Sequence, residues 1–98
     1  MLISKSSYDV GDIITFKIVN GDELVARLVE QNDTGFIVDR PCTVVPSPKG
    51  IGLIQSLFTA ELEQKITLDK QHVIMHAASI KDMRNHYIQT TSGISVIS

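Results

Sequence analysis

Two histidines four residues apart, His72 and His76, are the side chains of this sequence that come nearest to a catalytic or metal-binding pattern. On a helix, this spacing would place two metal ligands on one face, as in a metalloprotease motif. Residues 73 to 77 (Val-Ile-Met-His-Ala) are typical of a β-strand instead, and no glutamate lies between the two histidines. Because the segment offers only two obvious ligands, it predicts no metal site.

Other catalytic patterns are incomplete as well. Lys49-Gly50-Ile51-Gly52 lacks the Gly-x-x-x-x-Gly-Lys-Ser/Thr order of a phosphate-binding loop, and the sequence contains no Gly-x-Ser-x-Gly nucleophile elbow. Asp22 and Glu23 follow a tight-turn signal, where carboxylates usually face water. We therefore expect a protein that is not an enzyme and that uses no cofactor and no metal.

Length, charge and cysteine content limit the number of domains, the possible ligands and the cellular compartment. The 98 residues, of which 43% are hydrophobic, predict one domain spanning residues 1 to 98. The net charge of −2 neither requires nor excludes a polyanionic ligand. Residues 1 to 40 carry four basic and seven acidic side chains, whereas residues 70 to 98 carry three basic side chains, one acidic side chain and all three histidines, so such a ligand is expected to contact the C-terminal third. The single cysteine, Cys42, and the lack of a secretory signal or membrane-spanning run favour a cytoplasmic protein.

The elements that position these side chains begin with a β-hairpin. Apolar residues alternate in two runs, at 14, 16 and 18 and at 24, 26 and 28, and Asn20-Gly21 lies between the runs. Successive side chains of a strand point to opposite faces, so each run can bury one stripe while Thr15, Lys17, Val25 and Arg27 point elsewhere. Asn-Gly favours a tight turn because both residues tolerate a positive φ. The pattern predicts a half-buried hairpin.

Further turn and strand signals follow at intervals of about ten residues, which favours a small antiparallel barrel. We expect a third strand from Phe36 that continues past Pro41, with the proline at an edge, a kink or a bulge. A break over residues 46 to 50 and short strands within 51–58, 63–68 and 73–77 follow. Ser79 followed by Asp82 predicts the start of a helix over residues 80 to 90. The expected helix buries Ile80, Met83 and Tyr87 on one face and stops near Gly93.

The hairpin also carries a longer pattern of apolar and small residues, filled by Ile14, Phe16, Ile18, Gly21, Leu24, Ala26 and Leu28. This pattern resembles the first motif of the Sm-like family, which includes the Sm, LSm and Hfq proteins. Ala26 stands where the family usually has a glycine that lets the second strand bend. The family's second motif, which contains Arg-Gly, would fall at residues 68 to 73, where no Arg-Gly occurs. Over its whole length, the chain is similar to a phage-associated branch of the family.

The resemblance implies an all-β fold, a small, strongly bent, five-stranded antiparallel Sm-like (SH3-like) barrel with a short C-terminal helix. Family members pair the free edges of their fourth and fifth strands between neighbouring subunits. Contacts between two different edges must either close or polymerise, so the resemblance implies a homo-oligomeric ring of about five to seven subunits. Residues 46 to 62 would form a long variable loop between the third and fourth strands.

In the family, single-stranded RNA lies near the pore of the ring, against loops from each subunit. Carried over to this chain, the resemblance implies four binding residues: Asn32 for a base edge, Phe36 for stacking, Lys70 for a phosphate and His72 for stacking or hydrogen bonding. The residues themselves also allow a plainer interpretation. Phe36 then belongs to the core, Asn32 serves its turn, and Lys70 and His72 are merely solvated.

We therefore expect a non-enzymatic ring protein that binds single-stranded RNA or DNA as a scaffold or chaperone. It would act in the cytoplasm, or in the host-cell cytoplasm if it is of phage origin. The alternative is an interaction module that recruits phage or host proteins without binding nucleic acid, and the acidic charge balance favours this alternative. Neither interpretation involves a membrane.

Overall fold

A computed structural model describes residues 8–57, 59–61 and 63–97, which contain six strands and one α-helix. The strands are β1 (Ile13–Ile18), β2 (Glu23–Asn32), β3 (Gly35–Ser47), β4 (Gly50–Gln55), β5 (Ile66–Asp69) and β6 (Val73–Ala78). The helix α1 covers Lys81–Ile97, and one turn of 3₁₀ helix, Lys70–His72, joins β5 to β6.

All strand pairs are antiparallel, and the main sheet has the order β4-β3-β2-β1-β6. The first residues of β3 pair with β5 and its last residues pair with β4. The same edge of β3 therefore forms hydrogen bonds with two different strands. The outermost strands, β4 and β6, do not pair with each other in the described part of the chain. The expected antiparallel β fold with a C-terminal helix is confirmed, with six strands in a sheet that is not closed.

A bulge bends β3 where an edge, a kink or a bulge was expected at Pro41. Val25 of β2 pairs with Cys42, but Arg27 pairs with Asp39, so β3 has one residue more than β2 over this interval. Arg40 lies inside the bulge and has a positive φ of 50°. Such a bulge interrupts the ladder and increases the local twist of the strands. Of the alternatives expected at Pro41, the bulge is therefore the one that occurs.

The two faces of the sheet carry separate apolar clusters. The first cluster contains five of the six alternating hairpin residues together with two residues of β3, namely Ile14, Phe16, Leu24, Ala26, Leu28, Phe36 and Val38. The sixth, Ile18, packs against the cluster and is partly buried. The second lies under α1 and contains Ile13, Val25, Cys42 and Tyr87. Val25 was expected to point away from the core, yet it is fully buried because the helix covers its face. The sheet is thus protected from water on both sides over part of its area.

The hairpins and turns differ in detail from the expected ones. The β1–β2 loop has four residues, in which Gly21 has a φ of 95° and the Asn20 side chain accepts a hydrogen bond from the Asp22 N–H over 2.9 Å. Ser47 pairs with Gly50, so the expected break over residues 46 to 50 is a tight β3–β4 connection. The long loop expected over residues 46 to 62 therefore contains β4.

The C-terminal helix is longer than the sequence predicted. It begins at Lys81 and continues through Gly93, so the expected stop at that glycine is wrong. A glycine weakens a helix by about 1 kcal/mol, which does not suffice to end it. Ser79 does not cap the helix, since its hydroxyl oxygen lies 2.6 Å from that of Thr15. Ile80 is 73% exposed, so it is not part of the buried face.

No helix among the described residues has both the length and the apolar character to cross a membrane.

Candidate nucleic-acid interface

Two turns at one end of the sheet are joined by backbone contacts. One is the turn between β2 and β3, and the other is the 3₁₀ turn, Lys70–His72. The backbone N–H of Lys70 donates a hydrogen bond to the carbonyl oxygen of Thr34 over 2.9 Å. Gly35 pairs with Asp69 in the β3–β5 register. Side chains of the two turns are therefore held at fixed positions relative to each other.

Gly35 allows this close approach. A Cβ atom at this position would overlap the carbonyl oxygen of Leu68 and lie 2.9 Å from the backbone nitrogen of Lys70. Both of those atoms belong to backbone and cannot rotate away as the end of a side chain can. The contact between the two turns thus depends on the absence of a side chain at residue 35.

The oxygen and the nitrogen of the Asn32 side-chain amide have different surroundings. Its Oδ1 accepts hydrogen bonds from the N–H groups of Thr34 and Gly35, at 3.0 and 3.1 Å, and from the Thr34 hydroxyl at 2.9 Å. Its Nδ2 makes no hydrogen bond within residues 8–57, 59–61 and 63–97. Asn32 therefore stabilises the turn through its oxygen and keeps an amide donor for an acceptor on a ligand.

A cleft of about 210 Å³ lies between the two turns and the beginning of β6. It is lined by Gln31, Asn32, Gly35, Phe36, Lys70, Val73, Ile74 and His76. The structure thus brings together three of the four residues expected to bind nucleic acid, Asn32, Phe36 and Lys70. His72 does not line this cleft, although it is exposed on the same 3₁₀ turn.

Phe36 is a core residue in the single chain. It is only 3% exposed, and its ring packs edge-on against Phe16 with the centroids 5.0 Å apart. The exposed aromatic ring of the cleft belongs to His76, whose centroid also lies 5.0 Å from that of Phe36. From the sequence, His76 was considered only as a possible metal ligand together with His72. The cross-strand pairing of His76 with Phe16, which places it here, requires the β1–β6 register.

The position of His76 is fixed by a hydrogen bond as well as by packing. Its Nδ1 lies 2.7 Å from the hydroxyl oxygen of Tyr8. When Tyr8 is the donor, the neutral imidazole carries its proton on Nε2. Partial burial raises the pKa of Tyr8, which keeps its hydroxyl protonated. The imidazole can then donate to a ligand through Nε2.

Charges around the two turns are mixed. Lys70 and His72 are exposed on the 3₁₀ turn, and Asp69 begins that turn by accepting a hydrogen bond from the Gln71 N–H over 2.9 Å. Asp33 is exposed on the neighbouring turn. In the described ranges, no three His, Cys, Asp or Glu side chains are grouped so that they could hold a metal ion. The cleft suits one phosphate contact beside neutral base contacts, rather than a strongly basic surface.

Sequence comparisons with protein families and curated proteins identified no relative of this chain. The resemblance of the hairpin to the Sm-like family therefore stays a hypothesis. The functional interpretation rests on the cleft and on the edges of the sheet.

Proposed function

We propose that this chain is an Sm-like protein that assembles into a homo-oligomeric ring and binds single-stranded nucleic acid, most directly RNA. The repeated site is the cleft between the β2–β3 turn and the 3₁₀ turn. The observation that carries the proposal is the open sheet, because β4, β5 and β6 each pair with only one strand among the described residues. The resemblance places the family's fourth and fifth strands at β5 and β6. We propose that β4, at the outer end of the main sheet, takes the place of β5 as the partner of β6. Pairing β4 with β6 between copies would bring many identical clefts into one particle.

Exposed apolar side chains on the edge strands support the assembly. Ile54 on β4 is 44% exposed, and Ile74 and Met75 on β6 are 57% and 61% exposed. An unpaired strand edge that carries apolar side chains is a ready template for another strand. Since β4 and β6 are different surfaces, their pairing is heterologous and must close into a ring to stay finite. Closure by about five to seven copies of a bent sheet is the form that we propose.

The groups in the cleft support a single-stranded ligand. Asn32 offers an amide donor, Lys70 an ammonium group and His76 an exposed aromatic ring. Stacking of a base on an aromatic side chain contributes roughly 1 to 3 kcal/mol and tolerates any base. One such site is weak, but several sites on one ring bind a strand with increased avidity. His72, on the same 3₁₀ turn, is available for a neighbouring phosphate or base.

The proposed role is that of a scaffold or chaperone without chemistry. In the described part of the chain, the cleft is lined by one ammonium group, one imidazole and amide groups, with no carboxylate, hydroxyl or thiol side chain among its lining residues. Those groups can hold a strand by hydrogen bonds, stacking and charge. Repetition around a ring would let the protein present or remodel a strand that passes several subunits.

Recruitment of phage or host proteins is a second candidate function. Ile51 on β4 and Leu57 after it are exposed, together with Ile54. Apolar side chains of this kind could contact a protein segment that adds a strand to the β4 edge. In that case, the β4 edge would be occupied by the partner, and nucleic acid would not be needed.

Fluorescence anisotropy with labelled oligo-U and oligo-A at two salt concentrations tests the proposal. We expect saturable binding that weakens as salt rises, since neutralised phosphates release counterions. Lys70→Gln should weaken binding several-fold and reduce the magnitude of the log–log salt slope by about 0.7 for each phosphate that the variant no longer neutralises. Lys49→Gln, an exposed change in the β3–β4 turn outside the cleft, is the matched control and should bind like the wild type. Flat titrations with both oligonucleotides would contradict nucleic-acid binding and favour protein recruitment.

A further inference from the structure

A larger cavity, of about 590 Å³, lies between α1 and the sheet, and arginines from three elements line it. Arg27 comes from β2, Arg40 from the bulge of β3 and Arg84 from α1. Asp12, just before β1, is the one carboxylate among the described lining residues. The cavity shares no lining residue with the cleft between the two turns.

The three guanidinium groups keep donors for a ligand. Arg27 donates through Nε and Nη2 to the Asp39 carboxylate, at 3.2 and 2.9 Å, which leaves Nη1. Arg40 places Nη2 at 3.3 Å from Glu63, whose side chain is 67% exposed and can be displaced at little cost. Within the described ranges, Arg84 makes no side-chain hydrogen bond or ion pair.

Among the described residues, three carboxylates lie near the three guanidinium groups, and two of the carboxylates pair with arginines. Asp39 is buried and bound on both oxygens by Arg27, so its charge is matched inside the fold. Its Oδ1 also lies 4.0 Å from Nη1 of Arg40. Asp12 already accepts a hydrogen bond from the Asp9 N–H over 2.9 Å. Arg84 is therefore the guanidinium group that has no carboxylate partner within the described ranges, and an anion reaches Arg40 by displacing the exposed Glu63.

The backbone at Arg40 is held in a conformation that residues with a side chain rarely adopt. Its φ is 50°, and its carbonyl oxygen accepts a hydrogen bond from the Tyr87 hydroxyl over 2.8 Å. The helix α1 therefore supplies both the group that stabilises the bulge and the third arginine of the cavity. Backbone strain that the surroundings maintain is common at binding sites.

We propose that this cavity is an anion site that takes a phosphate group between Arg27, Arg40 and Arg84. Planar guanidinium groups donate parallel hydrogen bonds that match the oxygens of a phosphate. The volume holds a phosphate together with part of the molecule that carries it. The same chemistry recognises free inorganic phosphate and a phosphate in the backbone of a nucleic acid.

Thermal unfolding of the full chain in increasing inorganic phosphate, at constant ionic strength with chloride as the balancing anion, tests this site. Saturable stabilisation by phosphate is expected for the wild type, since a ligand that binds only the folded state raises its stability. Arg84→Gln should weaken the apparent affinity about tenfold, the usual size for loss of a charge-assisted hydrogen bond. Lys81→Gln is exposed on the same helix outside the cavity and should respond like the wild type.

Two results would overturn the site: no saturable response in the wild type, or equal losses in Arg84→Gln and Lys81→Gln. Arg84→Lys is a second variant, because it keeps the charge but loses the planar group, and it should bind phosphate with intermediate affinity. Circular dichroism spectra that match the wild type establish that each variant folds.

Competition distinguishes the two sources of the phosphate. If a short single-stranded oligonucleotide displaces inorganic phosphate and its own binding is weakened by Arg84→Gln, the phosphate belongs to a nucleic-acid backbone. If it does not compete, the site takes a small anion. Lys70 lines the cleft between the two turns and not this cavity. Lys70→Gln should therefore weaken oligonucleotide binding at the cleft and leave stabilisation by inorganic phosphate unchanged, so failure of one site is distinguishable from failure of the other.

Discussion

The hydroxyl group of Tyr87 donates a hydrogen bond to the carbonyl oxygen of Arg40 over 2.8 Å and thereby joins the C-terminal helix to the bulge of β3. The same hydroxyl lies 3.2 Å from the carbonyl oxygen of Asp39. A bulge leaves backbone groups without partners in the ladder, and buried groups of this kind need another partner. Burial raises the pKa of Tyr87, so the hydroxyl keeps its proton and remains a donor.

Replacing Tyr87 with phenylalanine should destabilise the protein by about 1 to 2 kcal/mol, because it removes the hydroxyl donor to the carbonyl oxygens of Asp39 and Arg40. The Arg40 oxygen then keeps only the weak thiol donor of Cys42, at 3.7 Å. Urea unfolding followed by circular dichroism measures this loss. Tyr8→Phe is the matched control, since it removes a hydroxyl whose hydrogen bond to His76 is exposed to solvent. We expect a loss of no more than about 0.5 kcal/mol for the control. Equal losses would contradict a structural role for the hydrogen bond to Arg40.

Gly35→Ala should separate the two turns of the cleft. The new Cβ would overlap the carbonyl oxygen of Leu68, so we expect destabilisation of about 2 kcal/mol or more and weaker oligonucleotide binding. Gly52→Ala is the control, because the nearest atoms to its added Cβ lie at an ordinary 3.6 Å. It should be neutral or stabilising by about 0.5 kcal/mol, since alanine is less flexible than glycine in the unfolded chain. Thermal unfolding compares the two, and tolerance of both changes would contradict the tight contact.

Alkaline pH should destabilise the fold through Cys42. Burial raises the pKa of its thiol from 9.0 to about 11, so the folded state holds the proton after the unfolded state has lost it. This thiol therefore lowers the free energy of unfolding as pH rises between these two values, by about 2 to 3 kcal/mol in total. Tyr87 acts in the same direction, because burial also raises its pKa.

The contribution of Cys42 is isolated by comparing wild type with Cys42→Ala in urea at pH 8 and pH 11. The variant is expected to be less stable at pH 8, because a buried side chain is shortened, but to lose less stability on going to pH 11. Parallel losses in the two proteins would show that the thiol does not titrate differently on folding.

Local sequence patterns were enough to predict the first hairpin, the strand from Val73 and the burial of Tyr87. Alternation of apolar residues determines which side of a strand is buried, and the run at 14, 16 and 18 has no competing pattern. The bulge at Pro41 was among the predicted alternatives because proline cannot donate to a ladder. These features depend on neighbours in sequence.

Features that depend on distant parts of the chain were missed. Ser79 looks like a helix cap, but pairing of β1 with β6 places its hydroxyl against Thr15, 64 positions away. Val25 was expected to point away from the buried stripe, and nothing local indicates that α1 covers its face. His76 joins the candidate site only through the same β1–β6 register, and the convergence of Asn32 with Lys70 requires the pairing of β3 with β5.

Sedimentation velocity at micromolar concentration tests most directly whether the unpaired edges of β4 and β6 join copies of this chain. We predict a single species of about five to seven times the 10.8 kDa subunit mass. Met75→Lys, which charges the β6 edge, should shift it to the monomer, whereas Val10→Lys, also at an exposed position but outside both edge strands, should not. A wild-type protein that sediments as a monomer would contradict assembly through these edges.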